Sequence, residues 1–110
     1  MWWFLYQKAV YSSNVYRYVL KSFREGNFMD WLFKNENHIC SLRVAGVIVH
    51  NNCLLVQREK GNYVYAIPGG HVRIGETLAD ALIREYSEEM NFSIYPTRLL
   101  WTEECFWSWS

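Results

Sequence analysis

The chain has no surplus of charge of either sign: 11 Lys and Arg balance 11 Asp and Glu, and the pI is near 6.8. That balance removes any general electrostatic pull toward nucleic acid or an anionic membrane, and no basic patch marks a nucleic-acid partner. Cysteine is scarce and odd in number, with Cys40, Cys53 and Cys105 lacking the close pairing of a disulfide framework. His38, His50 and His71 do not complete a zinc pattern with them. Cys53 falls in a predicted strand and reads as a small core residue rather than a nucleophile. Met1–Tyr6 (MWWFLY) is apolar, but it is short and has neither the basic start nor the cleavage site of a signal peptide. No apolar run approaches the length of a membrane span, roughly 20 residues. These absences set the expectation of a protein in a reducing cytoplasm, with no membrane partner.

What is present is concentrated between Gly70 and Phe92, GGHVRIGETLADALIREYSEEMNF from Gly69 onward. Glu85, Glu88 and Glu89 are spaced by three and four, so on a helix their carboxylates share one side. Such a set suits a hard divalent cation, which prefers carboxylate, carbonyl and phosphate oxygens. The Gly69-Gly70 pair upstream lets the backbone bend and come close to a bound group. Together these residues suggest metal-assisted chemistry on a phosphate-containing substrate. Thr77 is placed to cap the helix with Asp80 three residues on. Leu78, Ala79, Leu82, Ile83, Tyr86 and Met90 form its apolar arc, and the glutamates fall at the edge of that arc.

This spacing resembles the Nudix box, in which a glycine, a glutamate, an Arg-Glu pair, a Glu-Glu pair and a final glycine recur at fixed intervals. Six of the seven fixed positions match: Gly70, Glu76, Arg84, Glu85, Glu88 and Glu89. Asn91 stands in place of the last glycine, at the helix exit, where asparagine best substitutes for glycine in the left-handed conformation. Tyr86 and Phe92 fill the apolar slots, Tyr86 being bulkier and more polar than the usual aliphatic residue. At ordinary residue frequencies six such matches arise by chance at roughly one start in a million or fewer.

The resemblance implies hydrolysis of a diphosphate bond in a nucleoside diphosphate linked to another moiety. It implies Mg²⁺, with Mn²⁺ as a substitute, held by Glu85, Glu88, Glu89 and the Gly70 carbonyl. Arg84 and Glu76 brace the glutamates on this reading, and Arg58 with Gly69 and Gly70 meets the substrate. Glu85 and Glu88 are the candidates for general base, with Glu103 and Glu104, at the end of a predicted strand, as alternatives. The other reading is a non-catalytic or truncated Nudix-like module that binds a nucleotide or a protein without turnover. A plain surface ion pair of Arg84 with Glu88, and a plain surface arginine at 58, are the structural alternatives.

The flanking segments point to an α/β (α+β) fold, a mixed β-sheet with the box helix packed on it. Leu42–His50 and Cys53–Arg58 read as strands joined by a turn at Asn51-Asn52, and Tyr63–Ile67 as a further strand stopped by Pro68-Gly69-Gly70. Ser93–Tyr95 and Thr97–Trp101 read as strand pieces broken by Pro96. At 110 residues the chain holds one domain with a modest core. Residues 39–110 are assigned to the Nudix domain, without the C-terminal strands and helix of the full α/β/α sandwich.

Residues 1–38 are set apart as an aromatic, partly helical extension, within a chain that is 18% aromatic. A helix is expected from about Asn14 to Glu25, and a short helical piece through Trp31–Lys34 capped by Asp30. Three fates are open to this extension: packing on the core, an oligomer contact that includes a homodimer, or no fixed position.

Overall fold

A computed structural model describes residues 2–16 and 29–109. Its elements are β1 (Trp2–Tyr16), β2 (Leu32–Asn35), β3 (His38–Val47), β4 (Val49–His50), β5 (Cys53–Leu54), β6 (Gly69–His71), α1 (Leu78–Met90) and β7 (Ser93–Trp109). The main sheet runs β2-β3-β1-β7, with β6 pairing β3 beyond the end of β2. β1 lies parallel to β3 and antiparallel to β7, whereas β2 and β6 are both antiparallel to β3. The sheet is therefore mixed, and α1 packs on it against β3, β6 and β7. Among the described residues α1 is the single helix, and none is long and apolar enough to cross a membrane.

The core lies between α1 and the sheet. Ala81, Leu82 and Tyr86 of the helix meet Val44, Ile48, Val72 and Ile94, with Leu42, Leu55, Leu78, Ile83 and Met90 around them. Six of these positions on α1 come from residues recurring every three or four places, the spacing that gives a helix one apolar side. Full burial of one such aliphatic side chain is worth about 1.5–3 kcal/mol, so the cluster fixes how α1 sits on β3.

Several local expectations are corrected. Trp31–Lys34 is not helical: Leu32–Asn35 pairs with His38–Ser41 across a turn at Glu36, whose φ is 50°. Pairing with the start of β3 outweighs the local helical signal, because ladder hydrogen bonds satisfy both backbones at once. Asp30 forms a bridge with Arg73 instead of a cap. Asn14–Tyr16 belongs to β1, opposite Tyr95, Ile94 and Ser93, and the rest of the expected helix lies outside the described residues. Only Cys53–Leu54 of the expected Cys53–Arg58 strand is strand, and Tyr63–Ile67 is loop apart from a bridge between Gln57 and Ala66. That loop turns outward and leaves Tyr63 92% exposed. The hairpin turn at Asn51-Asn52 is as expected, both residues having positive φ.

Two corrections concern residues read as breakers. Gly69 and Gly70 do not end a strand but form β6, opposite Ala45 and Val44. A Cβ on Gly69 would lie 2.8 Å from the Ala45 Cα and collide with the Val44 carbonyl oxygen, so glycine is what permits the close approach. Pro96 does not end the strand, since β7 runs through it as the outer strand of its side of the sheet. Edge strands and bulges tolerate a residue with no N–H. Two register shifts follow it, Thr97 being inserted between the pairs Ser13↔Pro96 and Ser12↔Arg98, and Leu100 between Tyr11↔Leu99 and Val10↔Trp101.

Candidate active site

The site is assembled where β6 runs into the turn before α1. Gly75, with φ of 89°, turns the chain so that Glu76 folds back, and its Oε1 accepts a hydrogen bond from the Arg73 amide at 2.8 Å. Thr77 then caps α1, its hydroxyl accepting from the Asp80 amide at 3.1 Å. At the far end Asn91 is left-handed, with φ of 56°, and its amide together with that of Phe92 donates to the Tyr86 carbonyl. The cap sets where α1 begins, and so which side of the helix Arg84, Glu85 and Glu88 face.

Arg84 is the hub. Its Nε donates to Glu76 Oε2 at 2.7 Å and its Nη2 to Glu76 Oε1 at 3.0 Å, a two-pronged grip on one carboxylate. Nη2 also donates to the His71 carbonyl at 2.9 Å. Nη1 donates to Glu85 Oε1 at 2.9 Å and to Glu88 Oε2 at 3.2 Å. All five guanidinium N–H groups are thereby engaged. The side chain is 15% exposed, so this is an enclosed network rather than a solvated surface pair. Burial opposes the charge on Arg84, but its hydrogen bonds to Glu76 and Glu85 raise its pKa further above the ordinary arginine range.

The surrounding carboxylates differ in electrostatic state. Burial works against ionisation of Glu76, yet the Arg84 guanidinium and the Arg73 amide hold its pKa below the usual value. Glu85 is shifted the other way: burial raises its pKa, and the neighbouring Glu89 adds to this against the pull of Arg84. Glu88 also approaches Arg73, Nη2 to Oε1 at 3.8 Å. Behind Glu85 stands Gly70. Any Cβ there would overlap the Glu85 carboxylate, so the absence of a side chain on β6 makes the space in which that carboxylate sits.

The spacing leads one to expect Glu85, Glu88 and Glu89 converging on one ion. In the structure Glu85 and Glu88 both turn toward Arg84, and among the described residues no three His, Cys, Asp or Glu side chains form a ready-made metal cage. The donor chemistry nevertheless fits a hard cation. A half-buried carboxylate beside a second one repels it, and a divalent ion relieves that repulsion. Arg58 lies apart from this network and stacks on the Tyr65 ring at 5.1 Å. Glu103 and Glu104 stand inside β7 rather than at a strand end, opposite Lys8 and Gln7.

Sequence reasoning missed Gly46 and the use made of the Tyr86 hydroxyl. That hydroxyl is buried and lies 3.0 Å from the carbonyl oxygens of both Gly46 and Pro68. The Gly46 amide also donates to Pro68 at 3.1 Å, so β3 and the approach to Gly69-Gly70 are tied together. The available signal was a glycine inside an otherwise apolar strand, a mark of close approach. Arg73 was missed as well, with nothing in its spacing to single it out.

Residues 41–108 match the family pattern of the NUDIX domain. The chain belongs to the Nudix family. Among curated relatives, YjhB of Bacillus subtilis (strain 168), provisionally named an ADP-ribose pyrophosphatase, is 35% identical over 57 residues, 52% of this chain and 27% of that protein. The ADP-ribose pyrophosphatase of Methanocaldococcus jannaschii is 38% identical over 52 residues, 44% of this chain and 31% of that protein. The Nudix chain thus aligns with less than a third of the length of either relative. No solved structure matches it significantly.

Proposed function

We propose that this Nudix domain hydrolyses a phosphoanhydride bond in a nucleoside diphosphate joined to another group, with a divalent cation, Mg²⁺ first and Mn²⁺ as substitute. The observation that carries the reading is the Arg84 hub, which holds Glu76, Glu85 and Glu88 together, with the Glu85 carboxylate in the space left by Gly70. Glu85, Glu89 and Glu88 are the residues that would hold the ion. When bound, such an ion neutralises phosphate charge and lowers the pKa of water enough for a carboxylate to take its proton.

The chain's own residues have separate tasks. Arg84 and Glu76 position the glutamates, since removing either frees the other's partners. Gly69 lets β6 lie close against β3 and Gly70 makes room for the Glu85 carboxylate, so the two glycines would meet substrate through their backbone alone. Glu88 is 35% exposed and Glu85 12%, so Glu88 is the carboxylate better open to an attacking water and is assigned as general base. Arg58, presented on the exposed Tyr65 ring, supplies positive charge toward the substrate.

ADP-ribose is the first substrate to test, because both relatives carry its name. Purified protein would be incubated with ADP-ribose, nucleoside triphosphates, diadenosine polyphosphates and NADH, with and without Mg²⁺. Metal-dependent turnover that disappears in Glu88→Gln and Glu89→Gln supports the enzyme. Metal-dependent binding with no product from any substrate supports a binding module instead and ends the hydrolase reading.

A further inference from the structure

The region that matches the Nudix family does not close its own sheet. Residues 41–108 contain most of β3, all of β6, α1 and nearly all of β7. Among the described strands β7 pairs in the sheet with β1 alone, and β1 lies outside the matched region. The register runs without a break from Trp3↔His38 to Ser12↔Val47 on one side of β1, and from Trp2↔Trp109 to Tyr16↔Ser93, with two register shifts, on the other. A line of ladder hydrogen bonds therefore passes from β6 through β3 and β1 to β7. Val44 pairs with Gly70 on one side and Ala9 on the other, so β1 backs the strand that supports the site.

We propose that residues 2–16 are an obligate central strand of the Nudix domain, supplied by the same chain, and not an appended arm. Without this strand β3 and β7 would each present a long unpaired edge inside what is otherwise the core sheet. Unsatisfied backbone groups in such numbers destabilise a small domain and invite association. Val10 bears this out at the level of packing, since it is fully buried beside Ala45, itself 1% exposed. The composition of β1 agrees, being dominated by aromatic and β-branched residues that favour strands. The inference stands whether or not the domain hydrolyses anything.

Two native cysteines provide the test. Cys40 on β3 is opposite Leu5, and Cys105 on β7 is opposite Tyr6, so β1 separates them. Two strand spacings, roughly 9.5 Å, exceed the reach of a disulfide. In the 110-residue chain with Cys40→Ser and Cys53→Ser, Tyr6→Cys should form an intrachain disulfide with Cys105 under mild oxidation. Gln7→Cys, whose register partner is Glu104, should crosslink several-fold less. A crosslinked dimer would assign the strand to a second copy and overturn the own-chain proposal. No crosslink, or a Cys40–Cys105 disulfide in the oxidised natural chain, would overturn β1's place altogether. Independently, Val10→Asp should lower the melting temperature by about 10 °C or more and deprotect the amides of α1 to hydrogen exchange. An unchanged melting temperature would return residues 2–16 to the status of an arm.

Discussion

Tyr86 and Gly46 share one volume of the core. A Cβ built on Gly46 lies 2.8 Å from the Tyr86 hydroxyl oxygen and 3.3 Å from its Cζ, while that hydroxyl reaches the Gly46 carbonyl at 3.0 Å. Burial pushes the phenol well above its ordinary pKa, so it stays a hydrogen-bond donor at every physiological pH. The polar residue in an apolar slot is thus accommodated by a missing side chain across the interface.

Gly46→Ala should destabilise the domain by about 1–3 kcal/mol, the usual cost of overpacking. Tyr86→Phe alone should cost about 1 kcal/mol through the lost hydrogen bond. Combined, the two should cost less than their sum by about 1 kcal/mol, because removing the hydroxyl makes room for the methyl group. Urea denaturation of the four proteins measures the coupling, and strict additivity would refute it.

Arg84→Lys keeps the charge but cannot span three carboxylates and a carbonyl. A loss of about 2–3 kcal/mol is expected, since Glu76 and Glu85 are left enclosed without their partner. The midpoint of denaturation should fall accordingly. A midpoint that stays in place would mean the network holds nothing together.

Glu76 gives the stability a defined acid limb. Its folded-state pKa lies below the usual carboxylate value, so the unfolded chain binds more protons in that window. The stabilisation is fully present above about pH 4.5 and is lost as pH falls through the lower folded value. Glu76→Gln should lower stability at pH 7 by about 2 kcal/mol and flatten the stability profile below pH 4.5. Melting temperatures across pH 2.5–7 (roughly the range in which carboxylates titrate) would show a parallel profile if Glu76 were uninvolved.

Adjacent glycines should respond differently to alanine. At Gly69 the added methyl meets the Val44 carbonyl and the Ala45 Cα, which are backbone and cannot step aside. Gly69→Ala should therefore cost stability, about 2–3 kcal/mol. At Gly70 the obstacle is the Glu85 side chain, which can swing away. Gly70→Ala should keep more of the stability but weaken Mn²⁺ binding by about tenfold or more. Denaturation and metal titration, read together, separate the two; the same pattern in both variants would contradict this division.

The stretch from Thr77 to Asn91 was legible because its signals are local: a capping threonine, a 3.6-residue apolar period, and an exit residue tolerant of positive φ. The Nudix box needed nothing beyond spacing, and the family match confirms it. The sheet was read less well. Whether Leu32–Asn35 or Gly69–His71 is strand depends on β3 passing alongside, which no window of sequence contains. Likewise the spacing of Glu85, Glu88 and Glu89 fixes a shared helix side but not the rotamers, and Arg84 draws two of them to itself.

With every donor of Arg84 committed to oxygens of its own chain, that guanidinium has nothing left to offer an arriving polyanion. The most prominent cation of the box is a keystone rather than a hand. Recruitment of ligand must then depend on other positive centres, so raising ionic strength should slow capture while leaving the architecture of the turn and helix untouched.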